Sequence, residues 1–274
     1  MTSAPPVSIK DSVGEALRFL RAQWRFAAIV GAAGAGALVA SMLLGPLALL
    51  ALPIVLIVTH AALVSAALYG PDQVRARLLQ DALRVGGAML IVGLVVLILV
   101  IATAYIAMAV LIAPYAEQAR AAGEDQAQIE AIMRTAIAAQ PHIAPWALAI
   151  GAAVIFFFTT RLFLAAPASV DRGRIVVMDS VRWTRRNTLR AMGSRLLLLG
   201  PALILVGALQ SLIGAVLGFS TSDPSAMMAQ AQANPVLFMV FFALAVFVQL
   251  ALFAALEAGL AVALYRRLAG APQT

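Results

Sequence analysis

From Phe26 to Tyr69 the chain contains no Asp, Glu, Lys or Arg, and this limits its fold more than any other feature. A helix crossing the hydrocarbon core of a bilayer takes about 20 mostly apolar residues, so the run is too long for one crossing. Gly45-Pro46 divides it into two, 26–44 and 47–69. Further uncharged runs follow at 85–113 (stopped by Pro114), 145–166, broken only by Arg161, 196–219 and 236–264, the last broken only by Glu257. Barrel strands would alternate polar and apolar residues at every second position, and these runs do not. Composition agrees: 63% of residues are apolar, 11% are charged, and mean hydropathy is +0.98. A soluble domain runs at about 45–50% apolar and about 25% charged, so a water-soluble globule and a disordered chain are both excluded. The expected fold is an all-α integral membrane protein, a six-transmembrane-helix bundle. It comprises an N-terminal amphipathic segment 1–25, one membrane domain 26–269 and a tail 270–274.

Orientation follows from the cations. All but Arg120 and Arg134 of the 19 Lys and Arg fall in the N-terminal tail, in the second-to-third and fourth-to-fifth connections, at Arg161, or at Arg266 and Arg267. The positive-inside rule then puts both termini in the cytoplasm, as an even number of spans requires. The charged flank before the first run is too long for a signal-peptide n-region, so that run is expected to be retained. It offers two small-xxx-small stripes for close helix packing, Ala27/Gly31/Ala35 and Ala32/Gly36/Ala40. Trp24, Tyr69, Tyr115, Trp146 and Tyr265 fall at span ends, where aromatic rings prefer the headgroup layer.

Basic amphipathic interfacial helices are expected before spans 1, 3 and 5. In the first, Val13, Leu17, Leu20 and Trp24 form an apolar stripe beside Arg18, Arg21 and Arg25, and Ser12 to Glu15 has capping-box spacing. Before span 5, Arg182, Arg185, Arg186 and Arg190 follow helical spacing opposite Val177 and Val181, with Arg172 and Arg174 just upstream. Segments 13–23 and 177–187 also align, with a Val and two Arg identical, as three units of interfacial helix plus two spans would produce. These nine arginines are the candidate binding residues for anionic lipid headgroups. On the other side, 115–144 carries Ile129, Ile132, Met133 and Ile137 at helical spacing after Gly123 and Asp125. That segment reads as a solvated connector resting on the bilayer or, alternatively, as a docking element. Residues 220–235, with Ser222-Asp223-Pro224, read as a capped connector.

Four segments carry a resemblance: Ser12-Val-Gly-Glu-Ala-Leu17, Arg161-Leu-Phe-Leu-Ala-Ala-Pro167, Asp179-Ser180-Val-Arg-Trp183-Thr184 and Ala263-Leu-Tyr265-Arg-Arg-Leu268. Together they resemble the YciC-like bacterial inner-membrane proteins, which are similar to the membrane domain attached to some glycerophosphodiester phosphodiesterases. The resemblance implies the six-span layout, an amphipathic helix before span 1, an Arg-to-Pro closure of span 4 and a Ser-x-x-x-Thr helix before span 5. No segment of the sequence resembles the soluble phosphodiesterase, so that activity is not expected.

Three ionisable groups fall inside spans: His60, Arg161 and Glu257. A charge at mid-membrane costs about 2.5–3.5 kcal/mol on insertion scales, so such groups tend to find partners within a bundle. Glu257 is expected to pair with Arg161 near His60, either as a proton relay or headgroup pocket or as a buried pair fixing helix packing. Catalytic motifs are absent: there is no Gly-x-Ser-x-Gly, His-Glu-x-x-His or phosphate loop. With Cys 0 and only His60 and His142, neither a metal site nor a cofactor is expected. The sequence pI near 11.0 could suggest nucleic acid, but the arginines abut spans, making lipid the simpler partner. The expected protein is therefore a non-enzymatic inner-membrane protein engaging anionic headgroups or a protein partner, with a role in envelope homeostasis or as a scaffold. The partner could be a second copy. The alternative is a small transporter or permease subunit for a lipid or small solute.

Overall fold

The computed structural model describes residues 7–45, 48–123, 125–221 and 223–270. Among them no strand occurs, and six helices are long and apolar enough to cross a membrane. In chain order the helices are α1 (Ile9–Ala22), α2 (Trp24–Met42), α3 (Ala48–Tyr69), α4 (Val74–Ile112), α5 (Ala116–Ala122), α6 (Gln126–Ala139) and α7 (Ile143–Leu162). They continue with α8 (Ala165–Asp171), α9 (Met178–Thr184), α10 (Thr188–Leu217), α11 (Pro224–Ala233), α12 (Pro235–Val248) and α13 (Ala255–Leu268). A π-helical segment, Gln249–Ala254, joins the last two. Pro46 of the expected Gly45-Pro46 break, Ser222 of the expected 222–224 cap and most of the 270–274 tail lie outside the described residues. Two compact units emerge, Met1–Leu90 with Thr160–Thr274, and Ile91–Thr159.

The first unit is built on α13. Almost every residue from Ala255 to Tyr265 is buried, and α1, α3, α8 and α10 all pack against it. Small residues allow the approach. A Cβ at Gly259 would lie 3.0 Å from the Phe19 ring and 3.3 Å from Ala16 Cα, so α1 sits directly on α13. At Gly31 a Cβ would lie 2.9 Å from that of Ala251, which seats α2 on the π segment. Of the two small-residue stripes, Ala27/Gly31/Ala35 is buried, whereas Ala32, Gly36 and Ala40 are exposed.

Several local expectations change. Ser8, not Ser12, caps α1, because its Oγ accepts the Asp11 N–H at 3.3 Å. Ser12 lies inside the helix and returns its hydroxyl to the Ser8 carbonyl at 2.9 Å. The face of α1 turned to α13 centres on Ser12 and Ala16, both fully buried. Leu17 and Trp24, expected in the apolar stripe, are 49% and 59% exposed, since helix axes this close admit only small side chains between them. Residues 74–84 are not a separate helix but the first turns of the 39-residue α4, with no breaker between the basic segment and the apolar run. Before span 5, the expected continuous spacing of arginines is interrupted. Arg182 lies in the last turn of α9, Arg185 and Arg186 occupy a turn, and Arg190 lies in α10.

In the second unit α4 and α7 approach closely, a Cβ at Gly151 falling 2.6 Å from Thr103 Cγ2. Asp125 caps α6 by accepting from the N–H groups of Ala127 and Gln128 at 3.0 and 3.2 Å. Ile129, Ile132 and Met133 are half-buried there, and Ile137 is exposed.

Candidate functional site

The C-terminal ends of α3 and α13 lie together with α8 and α9, because Asp171 accepts from both Tyr265 Oη at 2.7 Å and Tyr69 Oη at 3.3 Å. Around that carboxylate, arginines do structural work. Arg172 lies 4.6 Å over the Trp183 ring and pairs with Asp179 at 3.7 Å, and Trp183 meets Tyr265 edge-on. Arg77 lies 4.1 Å over the Tyr69 ring, and with Arg84 it flanks Asp81. That carboxylate is fully buried and also accepts the Ser65 hydroxyl at 2.7 Å, which ties α4 to α3. Arg266 Nη2 donates to the carbonyls of Ala67 and Leu68 at 3.1 and 2.9 Å and so closes the last turn of α3. Arg267 pairs with Glu15 and with Asp11, pinning α1 to α13.

A second set of arginines has no such duty. The side chains of Arg18, Arg21, Arg174, Arg185, Arg186 and Arg190 are exposed and make no ion pair or hydrogen bond among the described residues. The Arg25 guanidinium lies 5.6 Å from the ring centre of its neighbour Trp24 and makes no ion pair or hydrogen bond among the described residues. Arg182 reaches Asp179 at the 4.0 Å limit with its side chain 84% exposed. Val7 donates to Asn187 at 3.4 Å, and Ile9 lies against Gly193. These contacts place the start of α1 beside the start of α10, so the free arginines gather at the same end as the Asp171 network.

Deeper in the helices, His60 is buried on α3 and Glu257 is half-buried on α13. The Glu257 carboxylate is near enough to bear on the charge of both His60 and Arg195 of α10. Arg195 donates to the buried Thr160 hydroxyl at 2.8 Å and lies 4.5 Å over the Phe163 ring. Arg161 donates to the Val181 carbonyl at 3.1 Å. His60 and Glu257 thus sit on packed helices within electrostatic reach of each other, and Arg195, which the sequence places in the fourth-to-fifth connection, is within reach of Glu257 as well. Its signal was its position two turns inside α10.

The Arg-to-Pro and Ser-x-x-x-Thr segments form one joint. The Ser180 hydroxyl donates to the Arg161 carbonyl at 2.7 Å and accepts the Leu164 N–H at 3.2 Å. Thr184 Oγ1 stands 3.3 Å from the same Arg161 carbonyl. Span 4 therefore ends where α9 supplies the polar partners that its broken helix lacks.

Two cavities accompany these features. One of about 370 Å³ lies among α1, α3 and α13, with Arg18, Gln23, Glu15 and Arg266 as polar lining over Phe19 and Ala67. The other, of about 420 Å³ in the second unit, is apolar and lies between α4 and α7, with His142 and Trp146 in its wall. No group of three or more metal-ligating side chains occurs among the described residues. Comparisons with protein-family models, with curated proteins and with solved structures find no match.

Proposed function

We propose that this chain is a non-enzymatic multi-pass protein of the bacterial cytoplasmic membrane that engages anionic lipid headgroups with its arginine-rich end. Both termini face the cytoplasm in this reading, and α1, the first turns of α4 and α9 lie in the headgroup layer as basic amphipathic elements. The layout resembles that of the YciC-like inner-membrane proteins, and a scaffold or envelope-homeostasis role fits it.

One observation carries the proposal. At the end where Arg77, Arg84, Arg172, Arg266 and Arg267 are engaged in holding the fold, further arginines, Arg18, Arg21, Arg174, Arg185, Arg186 and Arg190 among them, are exposed with no ion pair or hydrogen bond among the described residues, and they adjoin the candidate spans. A cation near an anionic leaflet gains about 1 kcal/mol, so such a cluster favours anionic over zwitterionic neighbours by several kcal/mol in total. Transport is less well supported, because polar groups that could line a path are engaged between or within helices. Gln210 donates to the Ala245 carbonyl at 3.1 Å, Thr159 to that of Phe156 at 3.2 Å, and Thr160 accepts from Arg195.

Trp24 and Trp183 at this end supply the test. The protein is reconstituted into phosphatidylcholine bilayers containing brominated phosphatidylglycerol, and tryptophan quenching is compared with that by brominated phosphatidylcholine. Preferential quenching by the anionic lipid should weaken with added salt and drop in the variant carrying Arg182→Gln, Arg185→Gln, Arg186→Gln and Arg190→Gln. Equal quenching by both lipids would overturn the reading.

A further inference from the structure

The cavity among α1, α3 and α13 has the makings of a discrete site rather than a share of a diffuse surface. Its walls are cut by small residues: Ala22 on α1, Ala66 and Ala67 on α3, Gly259 and Ala263 on α13. Its volume of about 370 Å³ falls within the usual range for small-ligand pockets, roughly 300–1,000 Å³. Two guanidinium groups line it, and they differ in preparation. Arg266 has one terminal nitrogen anchored on the Ala67 and Leu68 carbonyls, which fixes the plane of its fork and leaves further N–H donors. Arg18 is exposed, makes no ion pair or hydrogen bond among the described residues, and reaches the cavity from α1. The one carboxylate in the lining, Glu15, is already paired with Arg267. The lining thus holds two cations against one neutralised anion, an excess of positive charge in a fork geometry that suits a phosphate.

The remaining lining says which phosphate. Phe19, Val262 and the alanines give the cavity an apolar wall, which a free inorganic ion would leave unused and the glycerol of a phospholipid would cover. The lining also sits at the ends of helices, Ala66 and Ala67 in the last turn of α3 and Arg266 near the end of α13, at headgroup depth in the reading proposed above. Glu15, being paired, is poorly placed to receive the ammonium of a zwitterionic headgroup. We infer that this cavity binds the phosphodiester headgroup of one anionic phospholipid, with Arg18 and Arg266 on the phosphate and the small-residue wall against the glycerol. The inference rests on the headgroup reading of the arginine-rich end and shares Arg18 with it, while Arg266 and the small-residue wall belong to the cavity alone.

The full chain, purified in a non-ionic maltoside detergent, is titrated calorimetrically with dihexanoyl-phosphatidylglycerol, dihexanoyl-phosphatidylcholine and inorganic phosphate. The expected result is saturable binding of one equivalent of the phosphatidylglycerol, with the other two at least tenfold weaker. Arg18→Gln, at an exposed position that does not threaten folding, should weaken binding about tenfold, and Ala67→Leu, which fills the cavity, should remove it. Non-saturable binding, or binding unchanged in Arg18→Gln, would overturn the site. Inorganic phosphate binding as tightly as the lipid would overturn the lipid assignment. The variant lacking the four arginines at 182, 185, 186 and 190 separates the two readings. If it loses the bilayer preference but keeps stoichiometric binding, both stand. If the saturable binding is lost in that variant and survives Ala67→Leu, the cavity inference fails and the surface reading holds.

Discussion

Replacing Ser180 by Ala tests what holds the break between α7 and α8. Ser180 and Leu164 are both fully buried, and the serine Oγ is the partner of the Leu164 N–H at 3.2 Å while donating to the Arg161 carbonyl at 2.7 Å. Its removal orphans a buried amide, a loss worth about 1–3 kcal/mol. Thr184 limits the rest of the damage. Its hydroxyl has one hydrogen, directed first to the Ser180 carbonyl at 2.8 Å, but it stands 3.3 Å from the Arg161 carbonyl and can turn to it once Ser180 Oγ is gone. Thr184→Ala alone should therefore cost only about 0.5 kcal/mol, because Ser180 still serves the joint and even side-chain hydrogen bonds between membrane helices average only about 0.6 kcal/mol. Ser180→Ala should cost about 2 kcal/mol, and the double variant should exceed the sum by about 1 kcal/mol, as expected for neighbours sharing one acceptor. Unfolding of the four proteins by SDS in mixed micelles, followed through tryptophan fluorescence and far-UV circular dichroism, measures the cycle. A Ser180→Ala variant as stable as the parent, or strict additivity in the double variant, would refute this account of the joint.

Gly31→Val should destabilise the protein by roughly 2–3 kcal/mol through overpacking, since even its Cβ would meet Ala251 Cβ at 2.9 Å and Ala251 N at 3.0 Å. Gly36→Val, at an exposed position with nothing within 4 Å, should be near neutral in the same SDS titration, and equal losses would contradict the packing. Inside the helices, Glu257→Arg should depress expression, and combination with Arg195→Glu or with Arg161→Glu should restore it where the two charges are partners. Failure of both exchanges would show that Glu257 is not held by an ion pair. At α11, the Ser225 hydroxyl, then the Ala226 and Ser225 amides, hold the Asp223 carboxyl below the ordinary carboxylate range. A depressed folded-state value means the cap contributes stability above the unfolded-state value and loses it as pH falls, in the window below about pH 4. Amide exchange at Ser225 and Ala226 should speed up there in the parent but not in Asp223→Asn; loss of protection already at pH 5 would contradict the sign.

Apolar run length made the candidate spans legible, because a 20-residue apolar run has few other fates. The predicted ends at 69 and 264 come within a few residues of Tyr69 and Leu268, where α3 and α13 stop. Less legible was anything decided by a close approach between helices. The periodicity of α1 pointed to Val13, Leu17, Leu20 and Trp24 as its apolar stripe; Val13 and Leu20 do pack against the core, yet α13 presents Gly259, and Ser12 and Ala16 rather than Leu17 and Trp24 take the fully buried positions. Hydrophobic periodicity weighs large side chains and misses a face chosen for being small. Among the candidate residues, position relative to span ends was enough to nominate the exposed arginines. It was not enough to separate them from Arg172, nominated with them, whose partners Trp183 and Asp179 lie on α9. Asp81 carried a local signal, lying four residues after Arg77 and three before Arg84. Its full burial against Ser65 depended on the fold of the α3–α4 hairpin.

The division of the charges explains why a net charge of +7 is not spread evenly over the chain. At the arginine-rich end, Asp11, Glu15, Asp81, Asp171 and Asp179 are each engaged by an arginine or a tyrosine of the fold itself. An unpaired carboxylate there would cancel a neighbouring cation within a Debye length, about 8 Å at physiological salt. So engaged, these carboxylates fasten α1, α4, α8 and α9, Asp81 from a fully buried position and Asp11 and Asp171 from exposed ones, and the surplus of arginine is left facing out. Fold and surface thus draw on separate sets of charges. Loss of an engaged carboxylate should act through stability, as orphaned cations do, whereas loss of an outward arginine should act through lipid preference with little effect on folding. This separability is what allows one purified protein, with two groups of variants, to tell a lipid-facing surface from a merely basic one.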